Sequence, residues 1–303
     1  MHVTVQPPLQ PGMPAAEVVV DAALVRRLLG EQHPDLAGRP LALLSEGWDN
    51  ISFRLGDDLL VRLPRRAMAA PLIVYEQHWL PRLAPRLPLP VPAPVRTGAP
   101  GAGYPWPWSI APYLPGAPVA AAPLGPGAGE GVGRFFRALH GQPLAPDAPR
   151  NPYRGGPLAD RAAAFADRVR SLRASGRGTD TLERLFAAGL AAPIDAGPTW
   201  LHGDPHPLNM LSERGRLSAV IDWGDICAGD PANDLGGVWG LLPDPVERAA
   251  AFAAYGGVSG ATLARARGWA AYFGAVILDS GLVNSPPHAA IGETILAALA
   301  AEA

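Results

Sequence analysis

Two short segments between residues 202 and 224 carry the side chains best suited to chemistry. Residues 202–209 read His-Gly-Asp-Pro-His-Pro-Leu-Asn, and residues 221–224 read Ile-Asp-Trp-Gly. The first has the spacing His-x-Asp-x-x-x-x-Asn of a kinase catalytic loop, and the second lies where kinases carry Asp-Phe-Gly. Phosphoryl transfer needs positioning and charge neutralisation more than covalent help. The two segments together predict a phosphotransferase site.

Each polar residue of these segments has a predicted role. Asp204 is the group that accepts the hydrogen bond, and then the proton, of an attacking hydroxyl, and Asn209 and Asp222 are the ligands of Mg²⁺ ions that bridge nucleotide phosphates. The short runs 208–211 and 217–221 predict two strands around a glycine turn. Such a hairpin returns Asp222 to the side of Asn209.

The ordered set resembles the aminoglycoside phosphotransferase family, within the wider group that shares the protein-kinase-like fold. The resemblance is carried by residues 200–204, Asn209, 221–224 and 229–235, with weaker similarity at 46–50 and 61–64. It implies a kinase that uses ATP or GTP, with Mg²⁺, to phosphorylate a small hydroxylated compound. It also implies that Asp234 supports the catalytic loop through backbone hydrogen bonds. We interpret His202 as a second structural support of that loop.

The nucleotide side is predicted from the strand at 59–63 and the helix at 68–83. Strand alternation places Leu60 and Arg62 on one face, so that Leu60 covers the base and Arg62 reaches the phosphates. Glu76 on the helix is the expected ion-pair partner of Arg62. The sequence has no lysine at all, and a guanidinium binds phosphate with a longer, planar group than the usual kinase lysine.

Backbone groups complete the predicted nucleotide site. The turn at 45–50 has one glycine, so it differs from the glycine-rich loop of protein kinases, but amide groups from Gly47 to Asn50 are expected to approach the phosphates. The family resemblance implies that the Pro112 carbonyl and the Leu114 backbone meet the edge of the base.

The distribution of elements predicts an α+β, protein-kinase-like fold with two lobes. Three strands at 41–44, 51–55 and 59–63, a helix at 68–83 and a strand at 106–113 form a small antiparallel-sheet lobe, assigned to residues 1–114. Helices dominate the second lobe, residues 115–303, at 130–141, 158–174, 180–189, 244–255, 260–282 and 288–302. Asp21 is the expected N-cap of an earlier helix, and the Pro-rich residues 1–16 predict a loose arm.

Composition excludes several classes of partner. The 25 basic and 27 acidic residues give a net charge of −2, which predicts no binding to nucleic acid or to an anionic membrane. A single cysteine, Cys227, allows no intrachain disulfide, and no secretory signal or spanning segment is recognisable, so a cytoplasmic protein is expected. Composition leaves the oligomeric state open.

The acceptor is predicted from the charge of the C-terminal segment. Residues 224–303 hold eight carboxylates and three arginines, and a negative wall attracts a polycationic aminosugar. The expected substrate contacts are His206, Asp225 and Asp279, and the expected acceptor is an aminoglycoside-type antibiotic. The alternatives are a macrolide, an amino alcohol or sugar, and a catalytically silent nucleotide-binding homologue. His202, Asp204 and His206 also suit a metal hydrolase, although no second ligand cluster accompanies them.

Overall fold

The computed structural model describes residues 15–302, apart from the side chain of Asn284. Residues 1–14, and with them most of the predicted N-terminal arm, lie outside the described residues. The strands are β1 (Leu41–Glu46), β2 (Asn50–Leu55), β3 (Leu59–Pro64), β4 (Arg96–Gly98), β5 (Trp108–Pro112), β6 (Ala117–Pro118), β7 (Thr199–Leu201), β8 (Met210–Glu213), β9 (Arg216–Val220) and β10 (Cys227–Gly229). The helices are α1 (Ala22–Gln32), α2 (Ala70–Leu83), α3 (Gly129–His140), α4 (Ala162–Ala174), α5 (Asp180–Ala191), α6 (Ala232–Gly236), α7 (Val238–Leu241), α8 (Pro245–Tyr255), α9 (Gly260–Asn284) and α10 (Pro286–Ala300).

An antiparallel five-stranded sheet occupies the N-terminal third, with the order β1-β2-β3-β5-β4. Leu55 pairs with Leu59 across the β2–β3 turn, and Gly56 opens that turn at φ +64°. Only glycine adopts this conformation without steric cost, which explains why the predicted hairpin forms at this point of the sequence. α1 begins after Asp21, whose Oδ1 accepts a hydrogen bond of 2.7 Å from the Leu24 amide.

Two hydrophobic cores divide the chain. The first packs α1 against the five-stranded sheet. The second core contains residues from every helix between α3 and α10 and from the strands β7, β8 and β9. Within it, α9 packs against α4, α5, α6 and α10. Trp79, Leu80 and Leu83 of α2 belong to the second core, although α2 follows the sheet directly. α2 therefore connects the sheet to the helical region. These features confirm the predicted α+β class.

Short elements position the catalytic segments. β7 pairs with β10 through Trp200 and Ala228, and the β8–β9 hairpin pairs Met210 with Val220. β8 begins two residues later than predicted because Asn209 still belongs to a turn, in which its amide donates to the His206 carbonyl at 2.9 Å. The sequence analysis also missed α6 and α7, which are only five and four residues long. No helix among residues 15–302 is long and apolar enough to cross a membrane.

The segment 149–156 docks on β10 through its backbone. The Ala228 amide donates to the Pro149 carbonyl at 2.8 Å, and the Asp230 amide donates to the Gly155 carbonyl at 2.9 Å. Gly155 has φ +68°, and a Cβ there would lie 2.6 Å from Leu201 Cδ1 and 3.1 Å from the Gly229 Cα. The close approach of these backbones therefore requires glycine.

We expect Gly155→Ala to lower the free energy of unfolding by about 2–4 kcal/mol, because overpacking adds to the cost of a left-handed backbone. Gly176→Ala is the matched control, since Gly176 has φ +76° with nothing within 4 Å of the added Cβ; its loss should be about 1 kcal/mol. Urea denaturation measures both values. Equal losses in the two variants would contradict the packing argument.

Candidate active site

The catalytic loop runs from the end of β7 to the start of β8 and is held by a buried carboxylate. Asp234, at the start of α6, accepts hydrogen bonds from the backbone amides of His202 at 2.7 Å and Gly203 at 3.0 Å. Its side chain has no exposed surface, so its charge must be satisfied inside the protein. Burial opposes ionisation, but His140 and the amide donors outweigh it and hold the pKa of Asp234 below its usual value.

Further contacts fix the loop from both sides. His140 Nε2 lies 3.3 Å from Asp234 Oδ2, and its Nδ1 lies 3.0 Å from the Tyr255 hydroxyl. His202 is buried, and its Nε2 lies 3.0 Å from the Ile221 carbonyl, next to the second motif. The Asn233 side-chain amide donates to the Gly203 carbonyl at 3.0 Å. His202 and Asp234 thus lie where structural support of the loop requires them.

Asp204 and Asn209 face the same cleft from opposite ends of the loop. Asn209 Nδ2 donates to the Asp204 carbonyl at 3.0 Å, which closes the loop. The Asp204 carboxylate lies 3.0 Å from Arg154 Nη2 and 3.4 Å from His206 Nε2. Burial raises the pKa of Asp204, but Arg154 and His206 outweigh it and hold the pKa well below its ordinary value. Asp204 is therefore ionised and ready to accept a hydrogen bond.

The second motif brings Asp222 to this cleft. The Ile221 amide donates to the Asn209 carbonyl at 2.9 Å, so the hairpin delivers Asp222 beside the catalytic loop. Asp222 has φ +59°, a left-handed conformation that is uncommon for non-glycine residues. Trp223 is fully buried behind it, with its indole N–H on the Val220 carbonyl at 3.0 Å. The unusual backbone leaves the Asp222 carboxylate half exposed to the cleft.

Arg62 joins the sheet, α2 and the second motif. Its Nη1 donates to both Glu76 oxygens, at 2.8 and 2.7 Å, and its Nη2 donates to Asp222 Oδ1 at 3.0 Å. Burial lowers the pKa of Arg62, but the two carboxylates outweigh this effect and leave the pKa above its ordinary value. For Glu76 burial has the opposite effect: it raises the pKa of the carboxyl, and the charge of Arg62 only partly offsets this rise. The guanidinium is fixed at the floor of the cleft.

Two arginines directly after β3 brace the turn between β1 and β2, which lies within the predicted 45–50 turn. Arg65 donates to the Gly47 carbonyl at 2.8 Å and pairs with Glu46 at 2.6 Å, and Arg66 pairs with Asp49. The Gly47 amide donates a hydrogen bond of 2.8 Å to the Asn50 carbonyl. The sequence analysis missed this bracing because Arg65 and Arg66 follow a strand and carry no motif.

One cleft of about 450 Å³ gathers these groups. Most of the predicted site residues line it: Gly47, Asn50, Arg62, Asp204, His206, Asn209, Asp222 and Asp225. Leu60, Pro112 and Leu114 do not line this cleft; Leu60 lies opposite Ala111 in the sheet, beside the turn into β6. The structure does not bring Asp279 into the cleft either, because its carboxylate is paired with Arg168 at 2.7 Å.

The residues that contact Asp204 and Asp225 were not among the predicted site residues. Arg154 lies against Asp204, and Asn151 Nδ2 donates to Asp225 Oδ1 at 2.6 Å. Both belong to an irregular segment far from the motifs in sequence. An arginine in a stretch without regular structure gave no periodic signal, so only the tertiary structure reveals the contact.

The donor set fits magnesium bound together with nucleotide phosphates. Asp222 Oδ2, the carboxylate oxygen that Arg62 does not contact, and the side-chain oxygen of Asn209 are hard donors in the cleft, and Mg²⁺ is usually bound by one or two protein ligands plus phosphates. Within residues 15–302, no group of three or more His, Cys, Asp and Glu side chains could hold a metal ion by itself. The arrangement suits a metal that arrives with its nucleotide.

Comparison with known proteins identifies the family. A family model described as the phosphotransferase enzyme family matches residues 40–269. The chain belongs to this family. Membership confirms the predicted class, a small-molecule kinase, and contradicts the metal-hydrolase alternative. No curated protein matches the sequence significantly.

Solved structures of this phosphotransferase's relatives share its fold. A GDP complex of wild-type aminoglycoside 2′-phosphotransferase-IIIa has a TM-score of 0.68 at 17% identity, covering 94% of this chain and 100% of that one. Macrolide 2′-phosphotransferase MphH from Brachybacterium faecium has a TM-score of 0.59 at 25% identity, covering 92% and 98%. These likenesses confirm the predicted protein-kinase-like fold over almost the whole chain.

We expect Arg62→Met to lower the free energy of unfolding by about 3–5 kcal/mol, because it leaves the buried Glu76 without its ion-pair partner. It should also weaken nucleotide binding at least tenfold, whereas Arg62→Lys keeps the charge and should stay within about tenfold of wild type. Urea denaturation and calorimetric titration with nucleotide measure these effects.

The matched control is Arg39→Met, which breaks the more exposed Arg39–Asp58 pair of the same sheet. Its loss of stability should stay below about 1 kcal/mol. Wild-type nucleotide affinity in Arg62→Met would contradict the role of Arg62.

Proposed function

We propose that this protein transfers the γ-phosphoryl group of ATP or GTP to a hydroxyl of a small molecule, with Mg²⁺ bound to the nucleotide. The observation that carries the proposal is the meeting of Asp204, Asn209, Asp222 and Arg62 in one cleft. Each group supplies a part that phosphoryl transfer requires, namely a proton acceptor, two metal ligands and a fixed cation.

The roles follow from the geometry. Asp204, held by the loop contacts of Asp234, orients the acceptor hydroxyl and takes its proton as the oxygen attacks the γ-phosphorus. Asn209 and Asp222 would hold Mg²⁺, which neutralises phosphate charge when it is bound. Arg62 positions the phosphates, and Glu76 keeps its guanidinium in place. Gly47, Asp49 and Asn50 of the braced turn line the same cleft.

We further propose a nucleotide-binding lobe up to residue 114, built on the first core, and an acceptor-binding lobe from residue 115, built on the second core, with α2 packed across the boundary. The chain leaves the sheet after β5 and enters β6 in this region. The Arg62–Asp222 ion pair joins the two parts across the cleft at 3.0 Å, so nucleotide phosphates would lie between them. Leu60 and the backbone of Pro112 and Leu114 are the proposed contacts of the base.

The acceptor class predicted from the sequence is an aminoglycoside, and three of the similar structures contain one: kanamycin, gentamicin and streptomycin. A macrolide is the second candidate. It is favoured by Val276 and Ile277, which line the acceptor side of the cleft, and by ion pairs that already engage Asp225 and Asp279. The likeness at 25% identity to a macrolide 2′-phosphotransferase supports the same class.

The experiment that tests the function is a coupled assay of nucleoside diphosphate release with Mg²⁺, ATP or GTP, and a panel of aminoglycosides, macrolides, amino alcohols and sugars. Release stimulated by one compound class names the acceptor and the preferred nucleotide. Nucleotide binding without release for any acceptor would favour the alternative of a silent homologue.

We expect Asp204→Ala to lower kcat by about 10³-fold, because it removes the proton acceptor, while folding and nucleotide affinity are retained. Asp222→Ala should in addition weaken the Mg²⁺-dependent part of nucleotide binding. The control is Asp279→Asn, whose carboxylate lies outside the cleft, and which should keep wild-type kcat. Near wild-type turnover in Asp204→Ala would overturn the assignment.

A further inference from the structure

Arg154 is a cation inside the cleft that the motifs of the sequence leave unexplained. Its Nη2 lies 3.0 Å from Asp204 Oδ1, and its Nε lies 3.4 Å from Asp225 Oδ2. The guanidinium therefore stands between the catalytic loop and the residue that follows the second motif. Among the described residues lining the cleft, Arg62 and Arg154 are the arginines, and Arg62 is already committed to Glu76 and Asp222.

We propose that Arg154 sets the charge of the acceptor side of the cleft, neutralising Asp204 and Asp225 so that neutral or weakly charged acceptors are selected over polycations. The inference rests on the proposed phosphotransferase function and names a specificity-determining residue within it. Arg154 acts through the electrostatic potential at the acceptor position, and it also orients the Asp204 carboxylate.

The position of Arg154 is fixed by its surroundings. The Gly155 amide donates to Asn233 Oδ1 at 3.2 Å, directly beside Asp234 of the loop support. The Gly155 carbonyl accepts from the Asp230 amide at 2.9 Å. Asn151, in the same segment, holds the other oxygen of Asp225. Because the backbone next to Arg154 is anchored in this way and its guanidinium pairs with Asp204 and Asp225, the side chain remains beside the two carboxylates and contributes a permanent positive charge.

The rest of the acceptor side offers no other arginine to balance these carboxylates. Val276, Ile277, Ser280, Ser285 and His288 complete this part of the described lining. Burial lowers the pKa of His288, with His206 acting in the same direction. Without Arg154, Asp225 would lose its arginine partner and Asp204 would keep only the contact with His206 at 3.4 Å. The attraction of the two carboxylates for a multiply charged amine acts over several ångströms and weakens with salt.

A matched control exists outside the cleft. Arg168 pairs with Asp279 at 2.7 Å, and neither residue lines the cleft. Arg168→Gln thus removes one arginine charge and frees the carboxylate of Asp279, whereas Arg154→Gln removes one arginine charge and frees two carboxylates within the cleft. A general effect of net charge would appear in both variants, whereas a local effect on the acceptor position would appear only at Arg154.

The test is calorimetric titration with kanamycin, an acceptor bearing several ammonium groups, in the presence of ADP and Mg²⁺. We expect Arg154→Gln to bind kanamycin roughly tenfold more tightly than wild type, with the gain reduced at high salt. Arg154→Lys and Arg168→Gln should keep the wild-type affinity. The double variant Arg154→Gln/Asp225→Asn should lose most of the gain, because it removes a carboxylate that Arg154 neutralises.

Unchanged or weaker kanamycin binding in Arg154→Gln, with folding and ADP affinity intact, overturns the proposal, as does an equal gain in Arg168→Gln. A fall of ADP affinity in Arg154→Gln also overturns it, because Arg154 would then serve the phosphates. Should Arg154→Gln not fold, Asp225→Asn alone decides: weaker kanamycin binding supports the proposal and unchanged binding overturns it. Binding is measured without turnover, so failure of the phosphotransferase assay on wild type remains a separate result.

Discussion

A buried negative charge organises the active site of this phosphotransferase. Asp234 has no exposed surface, and a carboxylate in such a place is tolerated only when donors surround it. The protein supplies these donors from the backbone of the catalytic loop, at His202 and Gly203. The need to satisfy Asp234 therefore fixes the path of the chain into Asp204. α3 and α8 contribute through His140 and Tyr255, so that the loop position is coupled to the core of the helical region.

Arg62 performs a comparable task between the sheet and the second motif. Its three carboxylate contacts reach Glu76 on α2 and Asp222 beyond β9. Because α2 also packs Trp79, Leu80 and Leu83 into the helical core, the ion pair is supported from both sides of the cleft. An arginine suits this position, since its planar fork can engage two carboxylates at once while a lysine ammonium is a single point charge.

The carboxylates after the second motif are neutralised by arginines that lie far from them in sequence. A count of charges along residues 224–303 gives an excess of carboxylates, but two of them form ion pairs with arginines outside that range: Asp225 pairs with Arg154, and Asp279 pairs with Arg168. Net charge along a stretch of sequence is therefore a poor guide to the potential in a pocket, because pairing depends on contacts across 71 residues in the first case, from position 154 to position 225. The local balance of charge, together with Val276 and Ile277, shapes what can bind beside Asp204.

The sequence by itself determined the family and the α+β fold, and it predicted Asp204, Asn209 and Asp222 as parts of one site, because these depend on residue types at short, fixed spacings and on alternation within strands. It also indicated the Arg62–Glu76 pair, since a strand followed closely by a helix leaves few partners. Only the tertiary structure decided that Arg154 reaches Asp204 and Asn151 reaches Asp225, that Arg65 braces the turn between β1 and β2, and that Asp279 lies outside the cleft. Those contacts join irregular or distant segments, where neither periodicity nor motif spacing carries information about proximity.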